Sequence, residues 1–161
     1  MAVNSEGLRD FSAVYVVQPV SSADWLVIAP VIWCILIGAV LLMLRKRTDL
    51  QPLIAIPALA VLVLMTLGLV WHVIGKGTVS MTMGRWLPPF GISFTVDLLG
   101  AFFAATSSMV AFAAGIYGRS DVDDSGRRYG FYPFLMLIMA GILGAFLTGD
   151  IFNLYVWFEV L

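Results

Sequence analysis

The sequence predicts an all-α polytopic membrane protein. It should have four complete transmembrane helices, the first half of a fifth, and a small extracytoplasmic β-hairpin before the third. Three observations carry this reading. First, 61% of the 161 residues are hydrophobic and only 12% are charged, with a mean hydropathy of +0.98. A soluble domain sits nearer half apolar and about a quarter charged. Second, the apolar residues fall in runs long enough to cross a bilayer, which takes ~20 residues for a core ~30 Å thick. Third, the basic residues gather in alternate breaks between the runs, as the positive-inside rule requires.

Several function classes are set aside by what is scarce. The net charge is -1, so no basic surface points to nucleic acid. Cys34 is the one cysteine and lies within an apolar run. It forms no disulfide within the chain and no cysteine-based metal cluster. His72 is the one histidine and cannot build a metal site alone. There is no Gly-rich phosphate loop and no nucleophile motif. No soluble enzyme chemistry is expected, and no cofactor, metal or nucleic-acid partner.

Residues 1–23 read as an extracytoplasmic tail, and 24–161 as the membrane domain. The tail is not a cleaved signal peptide. It carries Glu6 and Asp10 beside Arg9 and lacks the basic start and compact apolar core. Phe11 to Val20 is mildly apolar and suits the membrane surface.

The first span is expected from about Trp25 to Leu44, ended by Arg45-Lys46-Arg47-Thr48-Asp49. The second runs from about Leu50 to Ile74. Pro52 and Pro57 fall in its opening turns, and Pro57 is placed to kink it. Trp25 and Trp71 mark the interface on one side. His72 sits at that outer end, either as an interfacial histidine or in proton entry.

Val79-Ser80-Met81-Thr82-Met83 and Ile92-Ser93-Phe94-Thr95-Val96 both alternate apolar with polar residues. The turn formers of Gly84 to Gly91 lie between them, which is the pattern of a β-hairpin. A third helix then starts at Asp97 and runs to about Tyr117. Asp97 reads as its N-cap, against the alternative of an intramembrane acid. Arg119 to Tyr129 reads as a polar loop, with Asp121, Asp123 and Asp124 solvated rather than holding a cation. Phe131 to Thr148 is the fourth span. Gly141 and Ala145 in it form a small-xxx-small pair that admits a close neighbour. Gly149-Asp150 makes a turn, and Asp150 caps the fifth helix.

Orientation follows from the loops. Arg45, Lys46 and Arg47 follow the first span, and Arg119, Arg127 and Arg128 follow the third. Those loops are placed in the cytoplasm. The N-terminus and hairpin are then outside, and the fifth helix enters from outside. The sequence stops at Leu161, partway through that helix. A free carboxylate and unpaired carbonyls there would each cost several kcal/mol in hydrocarbon, so an N-terminal fragment of a longer chain is expected.

Glu159 stands out on this map. In a helix starting near Asp150 it lies roughly 13 Å below the surface at ~1.5 Å per residue, close to the middle of the bilayer. An unpaired carboxylate there costs on the order of 3 kcal/mol or more. Two readings are open: a proton- or ion-handling group, or a protonated glutamate hydrogen-bonded to a neighbouring helix. Tyr155 and Phe152 share its face. Tyr155 either bonds the acid or only packs. Asn153 lies on another face, placed to bond helix to helix.

The stretch Phe146-Leu147-Thr148-Gly149-Asp150-Ile151-Phe152-Asn153-Leu154-Tyr155-Val156-Trp157-Phe158-Glu159-Val160-Leu161 closely resembles the start of the fifth helix in the D-type subunit of the multisubunit Mrp-type monovalent cation/proton antiporters. Trp86-Leu87-Pro88-Pro89-Phe90-Gly91-Ile92, leading to Asp97-Leu98-Leu99, is similar to that subunit's approach to its third helix. The basic break Leu44-Arg45-Lys46-Arg47 also fits. The likeness runs from about Trp25 to the end, and its last part is the specific one. The tail departs from the family, whose members tend to begin near the first span.

The resemblance implies a proton-translocating subunit of a bacterial inner-membrane Na+/proton antiporter, working with other antiporter subunits. In that superfamily the glutamate of the fifth helix is the central acid of a proton path, and only Glu159 occupies that position here. Its usual partner is a lysine on the seventh helix, beyond Leu161. Burial disfavours the charged form of a carboxyl and a neighbouring cation restores it, so such a pair is a two-state proton site. The same superfamily includes antiporter-like membrane subunits of proton-pumping NADH:quinone oxidoreductase, which is the alternative function. A non-transporting assembly protein is the third class.

Overall fold

The computed structural model describes residues 24–83 and 91–161. The expectation of an extracytoplasmic tail, and the tip of the hairpin at 84–90, lie outside the described residues. A short 3-10 turn, Asp24–Leu26, is followed by α1 (Ala29–Met43) and α2 (Leu50–Lys76). The strands β1 (Val79–Met83) and β2 (Ile92–Val96) come next, then α3 (Leu98–Asp121), α4 (Asp124–Tyr129), α5 (Phe131–Leu147) and α6 (Ile151–Val160). The chain is mostly helical, with one small antiparallel sheet among the described residues.

Two helices, α2 and α3, are long and apolar enough to cross a membrane, and α1, α5 and α6 are shorter apolar helices. The first span is shorter than its apolar run. Pro30 lies in the first turn of α1, where a missing N–H costs nothing, and Trp25 and Leu26 stay in the 3-10 turn. α2 runs through Pro57 and past Ile74 to Lys76. It ends where Gly77 takes a positive φ of 82°. Large apolar side chains on its outside are bare: Leu53, Leu64 and Trp71 are 63%, 69% and 80% exposed. Such a surface has no place in water and suits lipid.

The helices pack through small residues. α5 contacts α1, α3 and α6, while α2 packs against α3 and α1. Ala101, Ala104, Ala105 and Ala111 of α3 are buried, and Gly115 lets Leu59 of α2 lie against the α3 backbone. Without a hydrophobic drive between helices in lipid, close approach and interhelical hydrogen bonds hold them. Among the described residues, three such bonds join the apolar helices. Thr66 Oγ1 and Ser108 Oγ are 2.7 Å apart between α2 and α3. Trp33 Nε1 of α1 donates to Ala58 O of α2 at 3.0 Å. Tyr132 OH of α5 donates to Gly115 O of α3 at 3.2 Å.

Both strands match their alternating segments residue for residue, with Val79 opposite Val96 and Met83 opposite Ile92. Ser80 Oγ and Thr95 Oγ1 pair across them at 3.2 Å. α3 begins directly after Asp97, whose Oδ1 accepts the Gly100 N–H at 2.7 Å.

The polar connection after the third span is a correction. It is not an open loop from Arg119 to Tyr129. α3 continues to Asp121 and α4 forms at Asp124–Tyr129. Asp123 caps α4 by accepting the Gly126 N–H at 2.8 Å, and Gly130 ends it at φ 114°. Asp123 therefore has a structural partner. Arg127 Nη2 donates to Arg119 O at 2.7 Å, and Arg45 Nε donates to Arg128 O at 2.8 Å. The two basic loops are thus joined at one end of the helices, opposite the hairpin.

Candidate functional site

The site is built on the turn between α5 and α6. Thr148 leaves α5 with extended backbone and forms a bridge with Phe94 of β2. The Gly149 N–H donates to Ser93 O at 3.1 Å. Asp150 Oδ1 accepts the Phe152 N–H at 2.9 Å. That bond satisfies one of the open donors at the start of α6. The chain then runs down beside α5.

The two faces of α6 differ sharply. Asn153, Trp157 and Leu161 turn towards α5. The indole of Trp157 lies directly on Gly144, and Leu161 packs on Gly141. Asn153 is only 5% exposed. Its Nδ2 donates to Thr148 Oγ1 at 2.9 Å, so its partner is the turn before its own helix rather than a neighbouring helix. Phe152, Tyr155 and Glu159 turn outward, with Phe152 and Tyr155 at 70% and 64% exposure. Glu159 is exposed as well. No hydrogen bond joins Tyr155 to Glu159 among the described residues.

Glu159 lies eight residues after Ile151, about 12 Å along the helix at ~1.5 Å per residue. The described bases sit in connections or in the last turns of helices, such as Lys76 and Arg119. Among the described residues one ion pair forms, Arg127 with Asp124 at 3.7 Å, at the opposite end from the hairpin. Glu159 thus presents its carboxyl away from α5, without a cation among the described residues.

His72 is not part of this arrangement. It is half-buried near the hairpin end of α2, and its Nε2 is buried without a hydrogen-bond partner among the described residues. α6 rests chiefly on α5. Among the described residues no three His, Cys, Asp or Glu side chains come together to hold a metal.

Sequence reasoning passed over three features, two at the site and one between α2 and α3. Gly144, rather than Ala145, seats the Trp157 ring. The second edge of β2 carries the turn before α6. Thr66 and Ser108 lock α2 to α3, and their signal was available, since each is a hydroxyl inside an apolar helix.

No family model matches the chain. Its sequence is 34% identical over 136 residues to the D subunit of the Na+/H+ antiporter of Alkalihalophilus pseudofirmus, covering 84% of this chain and 28% of that protein. It is 31% identical over 135 residues to the D subunit of the Na+/H+ antiporter of Bacillus subtilis, covering 84% and 27%. The chain spans about a quarter of the length of these curated relatives. Its fold matches a chain of the Mrp complex from a Dietzia species with a TM-score of 0.79 at 24% identity, over 87% of this chain and 26% of that one. It also matches the membrane-bound sulfane sulfur reductase, an archaeal respiratory membrane complex, with a TM-score of 0.72 at 24% identity, over 87% and 28%. Over the shared stretch the chain is a homologue of the Na+/H+ antiporter D subunits.

Proposed function

We propose, from that kinship, that the chain serves in a proton-translocating subunit of a multisubunit monovalent cation (Na+)/proton antiporter in the bacterial cell membrane, with Glu159 as the proton site. Other antiporter subunits are its partners. α1, α2, α3 and α5 are the four complete spans, and α6 is the first part of a fifth. The N-terminus and hairpin lie outside the cell, and the Arg45–Arg47 and Arg119–Arg128 connections lie in the cytoplasm.

The observation that carries this reading is the placement of Glu159. It is an acid within an apolar helix, on the face turned away from α5. An acid in the membrane faces protein or a watered cavity, because lipid cannot solvate its charge. Glu159 therefore faces a surface that the rest of the whole protein supplies. A cation there would favour its ionised form, and loss of that cation would favour proton uptake. Alternation between those states is the elementary step of proton exchange. Tyr155, one turn before on the same face, is within reach to bond the acid.

The alternative is a proton-pumping subunit of an NADH:quinone oxidoreductase-like complex. The chain's fold is also like part of an archaeal respiratory membrane complex, which is compatible with that alternative. The sequence kinship favours the antiporter. Infrared difference spectroscopy on the complete protein in bilayers, exchanging choline for Na+, tests the proton site. Wild type should show a change in a protonated-carboxyl band that Glu159→Gln lacks. Identical difference spectra would remove Glu159 from the proton path.

A further inference from the structure

We infer that the β-hairpin is a strap that sets the depth and rotation of α6, which makes Phe94 a positioning residue for the Glu159 carboxyl. The inference rests on Glu159 being the proton site. Its structural part stands independently of that reading.

β2 supports α6 at two places. The first is at the helix start. β2 pairs with β1 along one edge. Its other edge takes the turn before α6, through the Phe94–Thr148 bridge and the Gly149 N–H bond to Ser93 O at 3.1 Å. Gly149 lies so close to Thr95 that any side chain there would run into its Cβ and Oγ1. The backbone itself is laid on the strand, which fixes how deep the first turn of α6 begins.

The second contact lies further down the helix. Phe94 is 3% exposed, and its ring centroid is 6.4 Å from that of Trp157 at an interplanar angle of 60°. The Trp157 indole is held between this ring and the Gly144 backbone of α5. Trp157 precedes Glu159 by two residues. At about 100° per residue the two side chains point to nearly opposite faces. Keeping the indole inward therefore keeps the carboxylate outward. If Phe94 is lost, the indole has room to move, and the helix is free to roll and carry Glu159 with it.

The elements packed against α6 carry few titratable groups. The only titratable side chain of α5 is Tyr132, at the far end of that helix from the turn. β2 has none, and α6 itself adds only Tyr155.

The test uses the complete protein in lipid bilayers, with Phe94→Ala, Phe94→Leu as rescue, and Ile92→Ala as a control at an exposed position at the start of the same strand. Amide exchange across residues 149–153 reads the strap directly. The pH profile of cation-dependent proton flux reads its action on Glu159. Phe94→Ala should speed exchange about tenfold, as local opening becomes easier. It should also move the midpoint of the pH profile by about half a unit or more, as the surroundings of the acid change. Phe94→Leu should recover most of both, and Ile92→Ala should change neither. Exchange at the wild-type rate in Phe94→Ala would overturn the strap. Faster exchange with an unmoved pH profile would overturn the positioning role. Should Phe94→Ala fail to accumulate, Phe94→Leu against wild type carries both readouts, with smaller shifts in the same directions. A fully active Glu159→Gln would refute the proton-site reading instead, and leaves the exchange result as it stands.

Discussion

Asn153 reaches back across the start of α6 and donates its amide to Thr148 Oγ1 at 2.9 Å. The bond ties the first turn of the helix to the residue that leaves α5 and lies against β2. Asn153 is almost wholly buried, so its loss leaves no water to take its place. Asn153→Ala should lower stability by about 0.6–2 kcal/mol, the range for a hydrogen bond inside a membrane protein. Thr148→Val should cost a similar amount, and the double variant less than the sum of the two. Thermal unfolding in detergent checks this, and full additivity would show that the pair does not act as one.

A side chain at Gly144 has nowhere to go. The Trp157 ring lies against the backbone there, and indoles do not deform. Gly144→Ala should destabilise by about 1–3 kcal/mol, the usual cost of overpacking. Gly141→Ala meets the Leu161 side chain at 3.0 Å and its backbone N at 3.5 Å, looser contacts than those at Gly144, and should be milder. Yields of folded protein and unfolding temperatures for the two variants check the order.

Thr66 and Ser108 form the polar lock between α2 and α3, 2.7 Å apart and buried. The two hydroxyls have two protons between them, so one donates to the other and that one donates to a carbonyl of its own helix, Leu62 O at 3.1 Å for Thr66 or Ala105 O at 2.7 Å for Ser108. Removing either hydroxyl should therefore cost only about 1 kcal/mol. A double-mutant cycle with Thr66→Val and Ser108→Ala measures the shared part directly.

Orientation is testable by labelling. A cysteine at Ser80 in the hairpin should react with an impermeant thiol reagent from outside the cell. One at Ser125 in α4, which adjoins the Arg45 loop, should not. Labelling at Ser125 alone would reverse the arrangement derived from the basic loops.

Where the sequence revealed the fold, a single local force decided the outcome. Alternation marked both strands to the residue. Asp97 and Asp150 sit at helix starts, where a short side chain meets unpaired N–H groups. What stayed hidden was decided by contacts between elements. α4 needed Asp123 as a cap and the Arg127 bond to Arg119 O, and neither leaves a periodic trace in so short a stretch. Gly144 and Ala145 both read as small residues in sequence, and only the crossing of α5 with α6 shows that the glycine is the one needed. Likewise, nothing in the alternation of β2 announces that its second edge will receive Gly149. Glu159 was legible as an anomaly, a charge in an apolar run. Its outward direction follows only once Trp157 is seen against α5.

If Glu159 carries the exchanged proton, antiport in everted vesicles of the complete protein, at matched expression, must depend on its carboxyl. Glu159→Gln keeps size and hydrogen bonding but removes the acid, and near-complete loss of cation-dependent proton flux is expected with normal assembly. Glu159→Asp withdraws the carboxyl by one methylene, ~1.5 Å of reach by bond geometry, and should leave partial activity. Asp150→Asn should be much milder, because asparagine caps a helix about as well as aspartate. Transport by Glu159→Gln at the wild-type rate would mean that the proton crosses by another route.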